Sequence, residues 1–222
     1  MSDDLFTPSR RAVLGGAAAA GALAAAPAWA VDADELRAKG YAVGDVVKGD
    51  PNAPVTIIEY ASLTCPHCGS FHQNAYPTIK ADYIDTGKAK LIMREVYFDQ
   101  FGLWSAMIAR CGGDAGYHTM IDMFLNRQRE WYQNHVRAFN QTKNPQPILD
   151  EMFNIGRLAG LSNDRMNECL SDQSFLERLV TDYQTQASED GVRSTPTFFI
   201  NGEQVTGAVS AAEMARVIES KL

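Results

Sequence analysis

The sequence predicts an α/β fold in which a β–α–β unit and a β–β–α unit enclose a block of helices. Three observations carry this. Residues 55–61 form a nearly continuous, β-branched apolar run, followed by a helical pattern and a second strand-like run at 90–98. Between residues 100 and 190, helix-period patterns dominate. Strand character returns at Thr197–Ile200, ahead of a closing amphipathic helix.

The first thirty residues read as an address rather than as part of this fold. Ser9-Arg10-Arg11 supplies paired arginines, Ala12 to Ala26 is apolar and rich in Ala and Gly, and Ala28-Trp29-Ala30 is a small-x-small cleavage site. The apolar stretch has about fifteen residues, short of the roughly 20 that span a bilayer. A cleaved export signal is therefore expected over residues 1–30, in preference to a retained anchor. The paired arginines and the weakly hydrophobic stretch resemble twin-arginine signals; the Sec route is the alternative. No other segment is long and apolar enough to be transmembrane. A formal net charge of −7 argues against nucleic acid or an anionic membrane surface as partner. A hydrophobic content of 45% suffices for a packed core.

Residues 31–54 form a leading arm with a short helix expected at Asp32–Lys39. Gly49 to Pro54 is a turn-rich bridge. Val55 to Ala61 has the near-continuous apolar character of a central strand buried on both faces. A helix should follow from about Pro66 to Asp85, with Phe71, Ala75, Ile79 and Tyr83 on one face and a kink at Pro77. Helical patterns then occupy Phe101–Cys111, Tyr117–Trp131, Ile148–Ala159, Asp164–Leu170 and Phe175–Glu189. Asn201-Gly202 is a hairpin signal between Thr197–Ile200 and a return strand at Glu203–Thr206. Ser210 to Lys221 closes the chain as a helix. The expected division is 31–99 with 191–222 as the sheet domain, and 100–190 as a helical insertion.

Cys65-Pro66-His67-Cys68 carries the chemistry. It follows the first strand and opens a helix, where free N–H groups and the helix dipole favour an anion. A thiolate is the reactive form of cysteine, and such a site lowers a thiol pKa below its free value of roughly 8.5. Cys65 is the expected nucleophile and Cys68, one turn further in, the resolving thiol. Pro66 suits the first helical turn, and the His67 imidazole can stabilise a Cys65 thiolate. The alternative is a structural bridge or half of a zinc site, which needs further ligands at regular spacing. Four cysteines allow three connectivities. Because a bridge two residues apart is local, 65–68 with 111–169 is the natural choice; two buried free thiols at Cys111 and Cys169 are the alternative. No metal site is expected. His72 can only border the dithiol, and His118 and His135 read as surface or satisfied core residues. Met107, Met120, Met123, Met152 and Met166 read as core packing rather than copper ligands.

With this dithiol after a strand and this order of elements, residues 45–222 resemble the DsbA-type branch of the thioredoxin superfamily. The resemblance implies a thioredoxin-like fold with an inserted all-helical domain. It also implies a periplasmic thiol:disulfide oxidoreductase, a dithiol oxidase that needs no organic cofactor because the Cys65–Cys68 pair is the redox centre. Expected partners are unfolded or partly folded exported proteins with thiols, and a membrane redox partner of the DsbB kind. The resemblance places Pro196 in a cis peptide facing the dithiol, with Thr195 and Leu63 on the substrate-binding rim alongside Thr64 and the 191–195 loop. It matches Glu59, six residues before Cys65, to a buried acid that passes protons to or from Cys68; a strand-edge carboxylate paired with Lys or Arg is the alternative. A further bridge in the helical domain is familiar in some relatives, which supports Cys111–Cys169 as a structural disulfide. Thr195 departs from the Val of the best-known oxidases and points toward a disulfide isomerase or reductase. Residues 31–54 are too short for the separate dimerisation domain of typical isomerases, so a monomer is expected. A binding module, such as a copper chaperone or adhesin-like protein, is the reading from another class; it predicts bound metal and no exchange activity.

Overall fold

The computed structural model describes residues 32–207 and 209–222. The expected export signal at 1–30 lies outside them. A short helix α1 (Ala33–Ala38), capped by the Asp32 carboxylate, opens the arm. A two-residue strand β1 (Val47–Lys48) follows and pairs with β3. Strands β2 (Val55–Ala61) and β3 (Ala89–Glu95) run parallel. Strands β4 (Thr197–Ile200) and β5 (Glu203–Thr206) complete a five-stranded sheet of order β1-β3-β2-β4-β5.

Strand β2 is central, as its composition requires, but Thr56 and Ile58 are only half-buried, so its burial is not complete on both faces. The β4–β5 turn places Asn201 at φ 45° and Gly202 at φ 85°. Two consecutive positive φ values match the twist of a two-residue hairpin, and Asn-Gly adopts them most readily.

Between β2 and β3 the expected single helix is divided. Helix α2 (Pro66–Asn74) ends at Ala75, α3 (Tyr76–Ile79) restarts with Pro77 in its first turn, and a π-helical turn covers Lys80–Ile84. Proline lacks the N–H that a continuous helix needs, which explains the break. Phe71, Tyr76 and Ile79 pack with Ile57, Leu91 and Phe198 of the sheet, and with Met214 and Ile218 of the terminal helix α10 (Ala211–Glu219).

The helical block consists of α4 (Gln100–Cys111), α5 (Gly113–Asn126), a π-helical turn (Arg129–Gln133), α6 (Asn134–Thr142), α7 (Gln146–Leu158), α8 (Asn163–Ser171) and α9 (Gln173–Glu189). The helix expected at Tyr117–Trp131 therefore stops at Asn126, and α6 is an addition. Phe124, Trp131, Ile148 and Met152 share one apolar core with Leu63, Cys65, Cys68 and Met93. The dithiol thus sits where the sheet and the helical block share a core.

Cys111 at the end of α4 and Cys169 in α8 are joined by a disulfide across 58 residues. Both are buried. Replacing both by Ala should cost about 2–4 kcal/mol in denaturant unfolding, chiefly through the longer-range freedom returned to the unfolded chain. An unchanged unfolding midpoint would show that the bridge adds no stability.

Candidate active site

Cys65 is the N-cap of α2, with extended backbone (φ −77°, ψ 120°) and Pro66 in the first turn behind it. Its side chain lies at the surface end of the shared core, 9% exposed, whereas Cys68 is fully buried. Neither is in a disulfide in this structure. The two thiols are driven apart electrostatically. Cys65 falls to about 5, first because the Cys68 thiol donates to it, and then through Thr195 and the backbone N–H groups of Cys68 and His67, against the opposing effect of burial. Burial pushes the Cys68 thiol far up, and the neighbouring Cys65 and Glu59 push it further. His67 serves Cys65 through its backbone; its ring is exposed.

The Thr195–Pro196 peptide is cis. The Cys65 thiol donates to the Thr195 carbonyl at 3.6 Å. The Thr195 hydroxyl is buried and has no partner while Cys65 is a thiol, leaving it free to donate once a thiolate forms. Thr195→Val removes that donor at almost constant volume. The Cys65 titration, followed by thiolate absorbance, should move upward by roughly half to one unit, since a hydrogen bond to the charged form favours it. No movement would mean that the backbone donors alone set the thiolate.

Glu59 is fully buried at the centre of the sheet. Its partner is neither Lys nor Arg. Both carboxylate oxygens meet His72 Nε2, at 3.0 and 3.1 Å. His72 is 1% exposed, so it does not border the dithiol at the surface. Leu63, expected on the substrate rim, is 1% exposed, and its side chain packs in the shared core. An apolar residue entering the core ahead of the dithiol anchors the loop instead of meeting a substrate. Thr64 is likewise buried. The surface beside Thr195 is made by Phe98, 59% exposed, and by Val192, Arg193 and Ser194.

Two positioning residues come from distant parts of the sequence. Gln128 is fully buried, and its amide donates to the Leu63 carbonyl at 2.8 Å and to the Cys65 carbonyl at 2.9 Å. Its own carbonyl accepts from Gln133 at 2.6 Å. Gly69 makes room for it: a Cβ there would stand 2.8 Å from Gln128 Oε1. Asp99 caps α4 by accepting from the Phe101 and Gly102 N–H groups, and its other oxygen accepts from the Thr64 hydroxyl at 2.8 Å. A polar residue after a helix end is a weak signal in sequence, and neither contact has local spacing. Among the described residues, no group of three His, Cys, Asp or Glu side chains is placed to hold a metal ion.

A parallel β2–β3 pair, an antiparallel β4–β5 hairpin, a cis-proline opposite an N-cap cysteine and a buried second thiol define a thioredoxin-fold dithiol site. The thioredoxin family model matches residues 41–220, and the chain belongs to that family. Within it, the resemblance is to DsbA proteins. The crystal structure of Wolbachia pipientis alpha-DsbA1 is 31% identical, with a TM-score of 0.69 over 80% of this chain and 90% of that one. A Rickettsia typhi protein that bears the name of a protein-disulfide oxidoreductase is 32% identical over 183 residues, 80% of this chain and 62% of the relative. The chain thus spans somewhat under two thirds of that relative's length. A protein-disulfide isomerase structure from Novosphingobium aromaticivorans, at 22% identity and a TM-score of 0.67, shares the fold.

Proposed function

We propose that the protein is a periplasmic dithiol oxidase that introduces disulfides into exported proteins through the Cys65–Cys68 pair. The observation that carries this reading is the split between the two thiols: one held low at a helix N-cap, the other buried and held high. A substrate thiolate attacks Cys65 in the oxidised pair and forms a mixed disulfide, which the substrate's second thiol resolves. Electrons then rest on a pair whose Cys65 is a thiolate at neutral pH. Stabilising that reduced state makes the oxidised state a stronger oxidant. The cysteine pair is itself the redox centre. The substrates are unfolded or partly folded exported proteins with free thiols, a membrane protein of the DsbB kind reoxidises the pair, and the protein works as a monomer. Phe98 beside Thr195 offers an apolar contact for an extended substrate chain.

Equilibration with glutathione tests this. The expected potential lies near the roughly −120 mV of DsbA. A value near the roughly −270 mV of thioredoxin would overturn the oxidase reading in favour of an isomerase or reductase, the second reading that Thr195 supports. The pH dependence has a definite sign. Cys65 holds its proton less tightly folded, at about 5, than unfolded, at roughly 8.5. Between these values the unfolded chain carries more protons, so the reduced fold gains stability as pH rises. The gain is complete above about pH 8.5 and is lost as pH falls through 5. The oxidised form lacks this titration. Melting curves should therefore show the reduced-over-oxidised difference shrinking from pH 8 to pH 5; a difference that stays constant would contradict the thiolate assignment.

A further inference from the structure

Cys68 is fully buried, so a proton reaching or leaving its sulfur must pass through the protein. Glu59 is beside it electrostatically, but Glu59 is itself fully buried. The next group is His72, one helical turn beyond Cys68 on α2. Its Nε2 contacts both Glu59 oxygens, while Nδ1 is buried with no hydrogen-bond partner. Buried polar atoms are normally paired, and an exception calls for an explanation. Nδ1 lies 4.0 Å from Asp122 Oδ1 on α5, and Asp122 is half-exposed. With Nε2–H donating to Glu59, Nδ1 carries the lone pair and faces the direction of solvent.

We propose that His72 and Asp122 extend the buried acid Glu59 into a proton path between Cys68 and solvent, with His72 as its relay. The path rests on the thiol–disulfide reading above. When a substrate thiolate attacks Cys65 of the oxidised pair, the Cys65–Cys68 bond breaks and a substrate–Cys65 bond forms. The electron pair leaves on Cys68 sulfur. Glu59 passes a proton to that thiolate and takes one from His72 Nε2, while Nδ1 takes one arriving through Asp122. Reoxidation of the pair runs the path backward: the Cys68 proton leaves through Glu59 and His72, and the imidazole returns to its starting tautomer.

The groups facing His72 are Glu59 from β2, Asp122 from α5, and Tyr76 from α3, whose ring lies tilted against the imidazole with centroids 4.5 Å apart and whose buried hydroxyl is also without a partner. Lys48 of β1 is paired with Asp122 and sits over the Tyr76 ring. His118 of α5 interacts electrostatically with both Lys48 and Asp122, while its Nε2 meets the Val46 carbonyl. Lys48 holds the Asp122 carboxylate at the mouth of the path, and Tyr76 closes its side.

The test uses the oxidised protein, with its reduction by glutathione followed in a stopped-flow instrument across pH, in H2O and D2O. His72→Gln keeps a hydrogen-bonding side chain but cannot relay a proton. The expected result is an exchange rate about 10-fold lower at neutral pH, with a solvent isotope effect that the wild type lacks. Added imidazole should restore part of the rate, and the Cys65 titration should stay in place. Asp122→Asn, at the half-exposed end of the path, should show the same pattern more weakly, about 3-fold. It carries the test if His72→Gln does not fold. Wild-type rates in both variants would overturn the relay. So would slow variants with no isotope effect and no rescue, or a rate loss that tracks a shifted Cys65 titration, since either marks a structural role. A wild-type protein that does not exchange with glutathione would overturn the redox reading itself, and the relay with it.

Discussion

Cys65→Ser should abolish thiol–disulfide exchange, while Cys68→Ala should arrest it as a covalent intermediate. The two outcomes differ because the thiols hold different positions. Cys65, 9% exposed against none for Cys68, is the N-cap whose thiolate is stabilised by Cys68, Thr195 and two backbone N–H groups. A hydroxyl in its place has no accessible anion near neutral pH, and turnover should fall by at least about 1,000-fold. Cys68 is buried, and its thiol is held in the protonated state until the partner bond forms. Without it, the Cys65 thiolate can still attack a disulfide, expelling one half as a thiolate and keeping the other as an adduct, but cannot release that adduct by internal attack. Non-reducing mass spectrometry of Cys68→Ala incubated with oxidised glutathione should show a stoichiometric adduct, absent from Cys65→Ser. Residual turnover in Cys65→Ser would remove Cys65 from the nucleophile's role.

Glu95→Ala should be among the most destabilising single changes away from the dithiol. Glu95 ends β3 and makes a two-point contact with the Arg110 guanidinium, at 2.8 and 2.6 Å. Both side chains are about 5% exposed or less. Arg110 also donates to the Ala42 and Gly44 carbonyls, and the Tyr117 hydroxyl donates to Glu95 at 2.8 Å. The network therefore joins the sheet, α4, α5 and the leading arm. Removing the carboxylate leaves a buried guanidinium without its counter-charge, at a cost of about 3–5 kcal/mol. For a chain of this size that corresponds to a fall in melting temperature on the order of 10 °C. The double change Glu95→Leu with Arg110→Met should recover much of the loss, because an apolar pair of similar volume avoids the unpaired charge. A loss below about 1 kcal/mol in Glu95→Ala would mean that water reaches the guanidinium.

The elements that were legible in sequence are those whose pattern is local. Residues 55–61 declared a central strand because β-branched and apolar side chains recur with Glu59 as the one charged exception. Asn201-Gly202 declared its turn because few residues tolerate two positive φ values. Strand β1 was not legible: two residues have no period. Helix α6 was missed for a different reason. It is polar overall and has no buried residue, and it meets the core through Phe139, so its apolar side is too narrow to stand out in sequence. In the site, the spacing of Cys65 and Cys68 was readable from the residues themselves, whereas Glu59 and Pro196 were singled out only by the resemblance to DsbA proteins. Gln128 and Asp99 were not readable, since their contacts to the dithiol loop span 63 and 35 residues. His72 was visible but misjudged. Its position one turn past Cys68 was plain, whereas its depth depends on which face of α2 meets β2. Leu63 was misplaced by the same ambiguity, because an apolar residue next to a reactive loop serves a rim and a core equally well in sequence.

Gly69 gives the four-residue motif a hidden fifth letter. With no side chain on that turn of α2, a glutamine from the helical block can lie flat against the helix and hold the carbonyl of the nucleophile itself. Even a methyl group there would evict the glutamine amide or bend the helix that aims the thiol. Protein engineers who transplant the dithiol into another scaffold must therefore carry the bare glycine behind the second cysteine and, from outside any contiguous fragment, a distant amide shaped to cover it.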